Sequence, residues 1–367
     1  MGSKYYSLKK ILKENATYNM IIGERSNCKT YYVFDYCLED FFKNGNQLGY
    51  IRRWDEDFKG KRGQVMFDAI VSNGLVKKYS GNAYTGIKYF ASKWYPAFPD
   101  EKTGKLVAPD NPFAYGFSLN TMEHDKSTAY PNIRNIFFDE FITRGAYLVD
   151  EFVTFANVIS TIVRDRDDVK IFMCANTVNK FCPYFKEMGI THIEKMKQGT
   201  IDVYTYGASD LKIAVEYCDS KKEGKKSDKY FAFDNPKLNM ITGGAWEINM
   251  YPHSPEKFTQ KQVEFTYFIV FNNHILQCEV VQTSTKLFTF VHEKTSPLRY
   301  PDEELIYGDV YDGRPNWRRR LSKPLDDIDK KLYWFFKCEK VFYADNEVGE
   351  LMRNYINWCN TDRGWLN

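Results

Sequence analysis

Gly23-Glu24-Arg25-Ser26-Asn27-Cys28-Lys29-Thr30 decides how the rest of this 367-residue chain is read. It follows an apolar run, residues 17–23, that reads as a short buried strand closed by glycine. It opens a helical stretch, Lys29 to Asn44, with Tyr32, Phe34, Leu38, Phe41 and Phe42 on one broad apolar face. Strand, turn and helix start are the context that a phosphate-binding loop requires. Backbone N–H groups of the loop and of the helix N-terminus would cradle a β-phosphate. Lys29 would bridge β- and γ-phosphates, and the Thr30 hydroxyl would hold Mg2+. Cys28 departs from the pattern, because it stands where the second glycine belongs and adds bulk where backbone must approach phosphate. The bland alternative is a strand–turn–helix with an incidental Lys-Thr pair.

A second motif favours the phosphate-loop reading. Ile133–Glu140 (IRNIFFDE) is an apolar strand ending in two adjacent carboxylates. Side chains alternate along a strand, so the two acids point to different places. Asp139 can join the Mg2+ shell while Glu140 polarises a water for in-line attack on a γ-phosphate. The clearest helix follows, with Leu148, Phe152, Phe155, Ile159 and Ile162 at helical spacing, and it ends at Arg164 and Arg166. An arginine there can reach a neighbouring subunit's nucleotide, although helix C-termini attract cations for structural reasons too. The strand Lys170–Asn176 ends in an amide, Asn176, placed to sense a γ-phosphate.

Outward from these motifs, strands alternate with helices, which indicates an α/β fold with a mainly parallel sheet. A second strand, Leu48–Trp54, ends in Arg52, Arg53 and Trp54; residues 64–75 read as helical and 81–118 as hairpins. Near residue 218 the pattern changes. Cys218–Lys229 (CDSKKEGKKSDK) has five lysines, three acids and almost no apolar side chain, so it reads as a linker or solvated loop. The expected division is a first domain over 1–217, a linker region over 218–257 and a smaller α+β domain over 258–367. The last contains two β-like runs, 263–271 and 274–291, and an amphipathic helical segment after Pro324.

Composition sets limits on partners. Lys plus Arg is 51 against 48 Asp plus Glu, a formal +3, so no polycationic surface holds nucleic acid by overall charge. Hydrophobic residues at 43% and aromatics at 17% suffice for packed cores. No apolar run reaches the ~20 residues of a bilayer span, and the N-terminus lacks the apolar core of a secretory signal. No membrane partner is expected, and the eight scattered cysteines and five histidines lack metal-site spacing.

Together, IIGERSNCKT, LGYIRRW, KSTAYPNIRNIFFDEFI, TIVRDRDDVKIFMCAN and EFTYFIVFNN, in this order, resemble the DNA-encapsidation (genome-packaging) ATPases of small short-tailed phages, the phi-twenty-nine-like group. The resemblance implies a ring of additional-strand P-loop ATPase subunits, a pentamer, that hydrolyses ATP with Mg2+ and drives double-stranded DNA into a preformed capsid. It implies a C-terminal domain resembling a ribonuclease H fold without nuclease activity. It places Gly23, Glu24, Arg25, Ser26, Asn27, Cys28, Lys29 and Thr30 at the nucleotide, Thr30 and Asp139 at the metal, Glu140 as the catalytic acid and Arg164 as the trans-acting arginine. Lys126 matches a second basic residue acting across the interface, and Arg166 lies close enough to Arg164 to share its role. The implied setting is host cytoplasm, transiently at the portal vertex of the procapsid, with a structural packaging RNA as a further partner. The rival readings are a P-loop helicase or DNA-transfer pump, and a vertex or nucleic-acid-binding protein without ATPase activity.

Two stretches are candidates for nucleic-acid contact. Lys59, Lys61 and Arg62 lie in a glycine-containing segment, residues 57–64, that reads as a loop. Arg314, Trp317, Arg318, Arg319, Arg320 and Lys323 form a basic cluster around an aromatic with no acid inside it, which suits phosphate pairing and stacking. A working nuclease would need several converging carboxylates, yet the strand 265–271 has no acid in its interior.

Overall fold

The computed structural model describes residues 6–25, 27–121, 128–145, 147–148, 150–207, 209–219, 246 and 251–361. Ser26, Lys126 and most of the expected 218–257 linker therefore lie outside the described residues. The chain forms two compact units, the first over Met1–Arg144 and Asp150–Trp246, the second over Gly145–Val149 and Glu247–Asn367.

In chain order, the first unit contains α1 (Lys9–Leu12), β1 (Tyr18–Gly23), α2 (Lys29–Asn44), β2 (Gln47–Arg52), α3 (Gly60–Val65), α4 (Asp68–Ser72) and α5 (Leu75–Tyr79). Strands β3 (Gly86–Phe90), β4 (Lys93–Pro99), β5 (Leu106–Val107), β6 (Ala114–Ser118) and β7 (Ile133–Asp139) follow. Then come α6 (Glu151–Val163), β8 (Lys170–Asn176), α7 (Pro183–Glu187), β9 (Thr200–Thr205) and β10 (Lys212–Tyr217). The strands make one mixed α/β sheet in the order β3-β4-β6-β2-β7-β8-β1-β10-β9, with β5 added on β4. From β6 to β10 every neighbouring pair is parallel, so the motifs at the ends of β1, β7 and β8 share one edge. Strand β8 separates β1, which leads into the loop, from β7, which ends in the acids.

Both faces of this sheet are covered, which explains why its central strands are apolar throughout. Consecutive residues of β7 serve opposite faces. Phe137 meets Phe34 of α2 with ring centroids 5.5 Å apart, while Phe138 stacks on Phe155 of α6 at 5.4 Å. Phe34 also packs on Tyr50 and Phe67, which places the aromatic stripe of α2 in the core. The helix stops at Gly45, whose φ of +76° closes it through an N–H bond to the Phe41 carbonyl.

Three expectations for this unit need correction. Residues 64–75 do not form one helix, because Phe67 and Gly74 interrupt three short ones. The 57–64 segment is not a loop: Lys61 and Arg62 lie in α3. The β2 strand stops at Arg52, two residues short of Trp54, where the chain turns into a 3-10 turn at Asp55–Phe58.

The second unit contains β11 (Val263–Phe271), β12 (His274–Gln282), β13 (Leu287–Glu293), β14 (Ile306–Gly308), β15 (Trp317–Arg318), α8 (Asp327–Lys337), β16 (Val341–Tyr343) and α9 (Asn346–Thr361). Its sheet runs β15-β14-β11-β12-β13-β16. Strands β11 to β13 are an antiparallel meander, β14 and β15 continue it in parallel on one side, and β16 is parallel to β13. Asn272 and Asn273, both at positive φ, make the two-residue turn from β11 to β12. The expected single run 274–291 is broken, because the Thr283 hydroxyl accepts the Lys286 N–H and reverses the chain. The helical segment after Pro324 is likewise two helices with β16 between them.

Candidate active site

Strand β1 delivers the loop into a cramped corner. A Cβ on Gly23 would lie 2.8 Å from Cys218 Cβ and 3.0 Å from Asn27 Nδ2, so only glycine fits there. Cys28, the residue before α2, has φ +68° and ψ +22°, the left-handed conformation that glycine adopts without penalty. The backbone thus keeps the glycine-type turn although the side chain does not. Lys29 is buried, and its ammonium lies 2.7 Å from the Glu24 carbonyl, 3.2 Å from the Gly23 carbonyl, 3.1 Å from Asn27 Oδ1 and 3.3 Å from Asn176 Oδ1. Burial draws its pKa below the ordinary lysine value, against the opposing pull of Cys218, Cys174, Asp139 and Glu24. Arg25 is exposed beside the loop.

The acidic pair meets the loop through Thr30. Its hydroxyl donates to the Asp139 carboxylate at 3.2 Å to Oδ1 and 3.3 Å to Oδ2. Asp139 also accepts from Tyr50 Oη at 3.2 Å and pairs with Arg52 at 3.4 Å. Burial raises its carboxyl pKa and the Arg52 guanidinium opposes that rise. Glu140 follows the last strand residue at φ +58°, with a side chain 59% exposed. The expected divergence of the two acids is corrected: Asp139 and Glu140 both lie against the one Arg52 guanidinium, through Nη1 and Nη2. Arg52 Nη2 holds the Glu140 carboxylate at 2.9 Å while its Nε pairs with Asp57 at 3.1 Å. Among the described residues, no group of three or more His, Cys, Asp or Glu is arranged to hold a metal.

Arg164 and Arg166 differ sharply. Arg164 caps α6 and is exposed, donating to the Thr128 carbonyl. Arg166 instead donates to the carbonyls of Tyr130, Pro131, Ile133, Ile162 and Val163, so it fastens the 130–133 segment to the end of α6. Of the nucleic-acid candidates, Lys59 pairs with Asp55 at 2.6 Å, while Lys61 and Arg62 are exposed on α3.

The C-terminal basic stretch, acid-free in sequence, meets acids in space. Arg314 pairs with Asp302 and Asp312 at 2.7 and 2.8 Å and covers the Trp317 ring, whose N–H donates to the Pro301 carbonyl. Arg318 pairs with Asp326 at 2.8 Å and with Asp329, which also accepts from Tyr307. Arg319 and Arg320 lie over the Trp358 ring. An unpaired cluster around an open tryptophan is therefore corrected for Arg314, Trp317 and Arg318.

Sequence reading missed Arg52 and Tyr50 as part of this site. Their signal was present, since a charge pair ending an apolar strand is unusual. Only the β2–β7 register, which sets Ile51 beside Phe138, shows that Arg52 lies next to Asp139.

Comparisons with known proteins point the same way. The DNA packaging proteins of Bacillus phages PZA and phi29 are each 29% identical to this chain over 190 residues, 50% of this chain and 49% of theirs. That of Bacillus phage B103 is 25% identical over 176 residues, so the chain spans about half the length of the curated relatives it matches. Two solved structures share the fold over nearly the whole chain. The phi-28 gp11 DNA packaging motor has a TM-score of 0.58 and 18% identity, with 99% of this chain and 100% of that one covered. The bacteriophage phi-29 viral genome packaging motor assembly has a TM-score of 0.56 and 20% identity, with 96% and 100% covered. The Podovirus DNA encapsidation protein (Gp16) profile matches residues 1–84 and 102–292, which take in both the loop and the acidic pair, and the chain belongs to that family.

Proposed function

We propose that this chain is an ATP-driven motor subunit that moves double-stranded viral DNA into a preformed capsid. The observation that carries the proposal is the Thr30–Asp139 hydrogen bond, which joins the phosphate loop to the acidic strand, with Lys29 and the exposed Glu140 beside it. In the proposed reaction Lys29 exchanges its loop carbonyls for β- and γ-phosphate oxygens of ATP. Glu140 orients the attacking water and takes its proton. Asn176, within reach of Lys29, follows the γ-phosphate.

The donor chemistry fits Mg2+. A hydroxyl and a carboxylate are hard oxygen ligands, and Mg2+ is usually held by one or two protein groups with substrate phosphates completing its shell. Thr30 and Asp139 would hold it, and when bound it would neutralise charge on the phosphates.

Arg164, exposed at the end of α6, is the proposed trans-acting arginine, completing the site of the next subunit in a homo-oligomeric ring, a pentamer. Arg166 is assigned to holding its own subunit. Lys126 is proposed to act across the same interface. Lys61 and Arg62 are the proposed DNA contacts, gripping phosphates without reading sequence. We assign 1–217 to the ATPase domain, 218–257 to a linker and 258–367 to a domain resembling a ribonuclease H fold without nuclease activity. Its meander continued by parallel strands supports that likeness. The portal of the procapsid and a structural RNA are its proposed partners, with Arg319 and Arg320 as contact candidates, in host cytoplasm and at the portal vertex.

The test is phosphate release by the full chain with linear duplex DNA and procapsids, alongside nuclease protection of packaged DNA. Both are expected to exceed a Lys29→Ala control. Hydrolysis no faster than that control overturns the proposal, and hydrolysis without protected DNA reduces it to an ATPase.

A further inference from the structure

Arg53, the neighbour of Arg52 at the end of β2, faces the other way and is only 6% exposed. Its guanidinium forks onto Glu151, with Nε 2.7 Å from Oε2 and Nη2 2.8 Å from Oε1. Its Nη1 lies 3.2 Å from the Glu140 carbonyl and its Nη2 2.8 Å from the Phe141 carbonyl. Glu151, 2% exposed in the first turn of α6, also accepts from Tyr184 of α7 at 2.8 Å. These groups therefore grip the backbone of the left-handed residue that aims the Glu140 carboxylate.

That arrangement is costly unless it does something specific. Residues other than glycine are strained in such a conformation and persist there only where the surroundings over-determine them. A buried ion pair is often no more stabilising than well-packed apolar residues of similar volume. What apolar residues would not supply is donors for the two carbonyls of this turn, and those donors fix its direction. Glu151 also begins the helix whose C-cap is Arg164, so one strut joins the turn carrying Glu140 to the element carrying the proposed trans-acting arginine.

We propose that Arg53, braced by Glu151 and Tyr184, is a positioning residue for Glu140, holding the turn at residues 140–141 so that the carboxylate keeps its aim at the attacking water. It rests on the assignment of Glu140 as the base. Glu151 and the carbonyls of Glu140 and Phe141 lie outside the phosphate loop, so this grip is separable from nucleotide binding.

Arg53→Lys keeps the charge but loses the planar fork. Single-turnover hydrolysis by the full chain, with DNA and procapsids present, is expected to fall about 10²-fold, the scale of a misplacement near 1 Å. The KM for ATP is expected to stay within about twofold, because ground-state binding is untouched. The deciding measurement repeats Arg53→Lys in a Glu140→Gln background, where little further loss is expected because no carboxylate remains to be aimed. Equal fold-losses in the two backgrounds, or a raised KM with unchanged kcat, overturn the positioning role and leave a structural one. A Glu140→Gln chain as active as wild type overturns instead the assignment of the base. If Arg53→Lys does not fold, Tyr184→Phe, which removes one hydrogen bond to Glu151, should give a smaller loss of the same pattern. An additive loss with Tyr184→Phe overturns the proposal as well.

Discussion

Arginines face carboxylates in both units, and the two sets end in opposite states. In the first unit Arg52 reaches three acids, Asp57, Asp139 and Glu140, and the last keeps a side chain 59% exposed. In the second, Arg318 reaches Asp326 and Asp329, and the Asp329 side chain is 1% exposed, closed in by Tyr307 and the Leu325 N–H. An ion pair with one solvated partner opens at little cost, whereas parting a buried pair strands a charge. The lesson is that a basic run in sequence is not a basic surface, and that the difference lies in the acids: Glu140 can part from Arg52 into solvent, while loss of Arg318 strands Asp329, although the two arginines are equally shielded at 16% and 17% exposed.

The strongest way to break this distinction lies at the end of α6. Arg164→Ala should lower hydrolysis by roughly 10³–10⁵ if the residue acts as a trans arginine, with melting temperature unchanged. Mixing it with a Glu140→Gln subunit should restore part of the activity, and no rescue in rings shown to be mixed sinks the trans role. Arg166→Ala, which orphans five carbonyl contacts, should instead lower the melting temperature. If both variants melt alike, the division between available and committed arginines fails.

A stability experiment sharpens the contrast itself. Arg318→Ala is expected to cost about 3–5 kcal/mol in urea unfolding, the penalty of an uncompensated buried carboxylate. Arg52→Ala should cost less although Arg52 has more acidic partners, because the Asp139 side chain it strands is 10% exposed against 1% for Asp329. The reverse order would show that partner number, not burial, sets the cost.

Cys28→Gly gives a smaller effect in the other direction. Relieving a left-handed non-glycine residue should stabilise the chain by about 1 kcal/mol and speed hydrolysis by clearing bulk from the loop. A destabilised Cys28→Gly chain would mean that the thiol's packing outweighs its backbone strain.

The smallest effect tests the same pairing rule on a couple with one buried partner, Glu279 of β12, and one partly exposed, His292 of β13. His292 Nε2 lies 3.8 Å from Glu279 Oε1, and their mutual attraction is the leading cause that lowers the Glu279 pKa from 4.5 and raises that of His292 from 6.5. The histidine's contribution is complete below 6.5 and is lost as pH rises through its higher folded value. The glutamate's is present above 4.5 and is lost as pH falls through its lower one. Stability from the pair is therefore greatest between these values. His292→Gln should flatten melting temperature against pH above 6.5, and an unchanged slope there excludes the pair.

Much of the proposed nucleotide site was legible in the chain. Residues 17–23 and 29–44 alternate between patterns that only a buried strand and an amphipathic helix satisfy, so β1, α2 and the loop between them follow from local order. Asp139 and Glu140 were legible because an apolar strand ending in two acids is a strong local signal. The helix starting at Gly60 and the break at Phe67 were not, because short helices are set by packing against Phe34 and Trp94 and not by their own propensity.

By itself, then, the sequence determined the elements of the proposed site: the strand, loop and helix around Lys29 and Thr30, the acidic end of β7, and the arginines after α6. These depend on periodicity and neighbouring residues, which a linear chain displays. Tertiary structure alone decided which charges are available. Arg52 gained its role from the parallel register of β2 with β7, Arg53 from the burial of Glu151, and Arg318 lost its freedom to Asp329. Pairing and desolvation act between residues distant in sequence, and their sign depends on burial that only the folded chain creates.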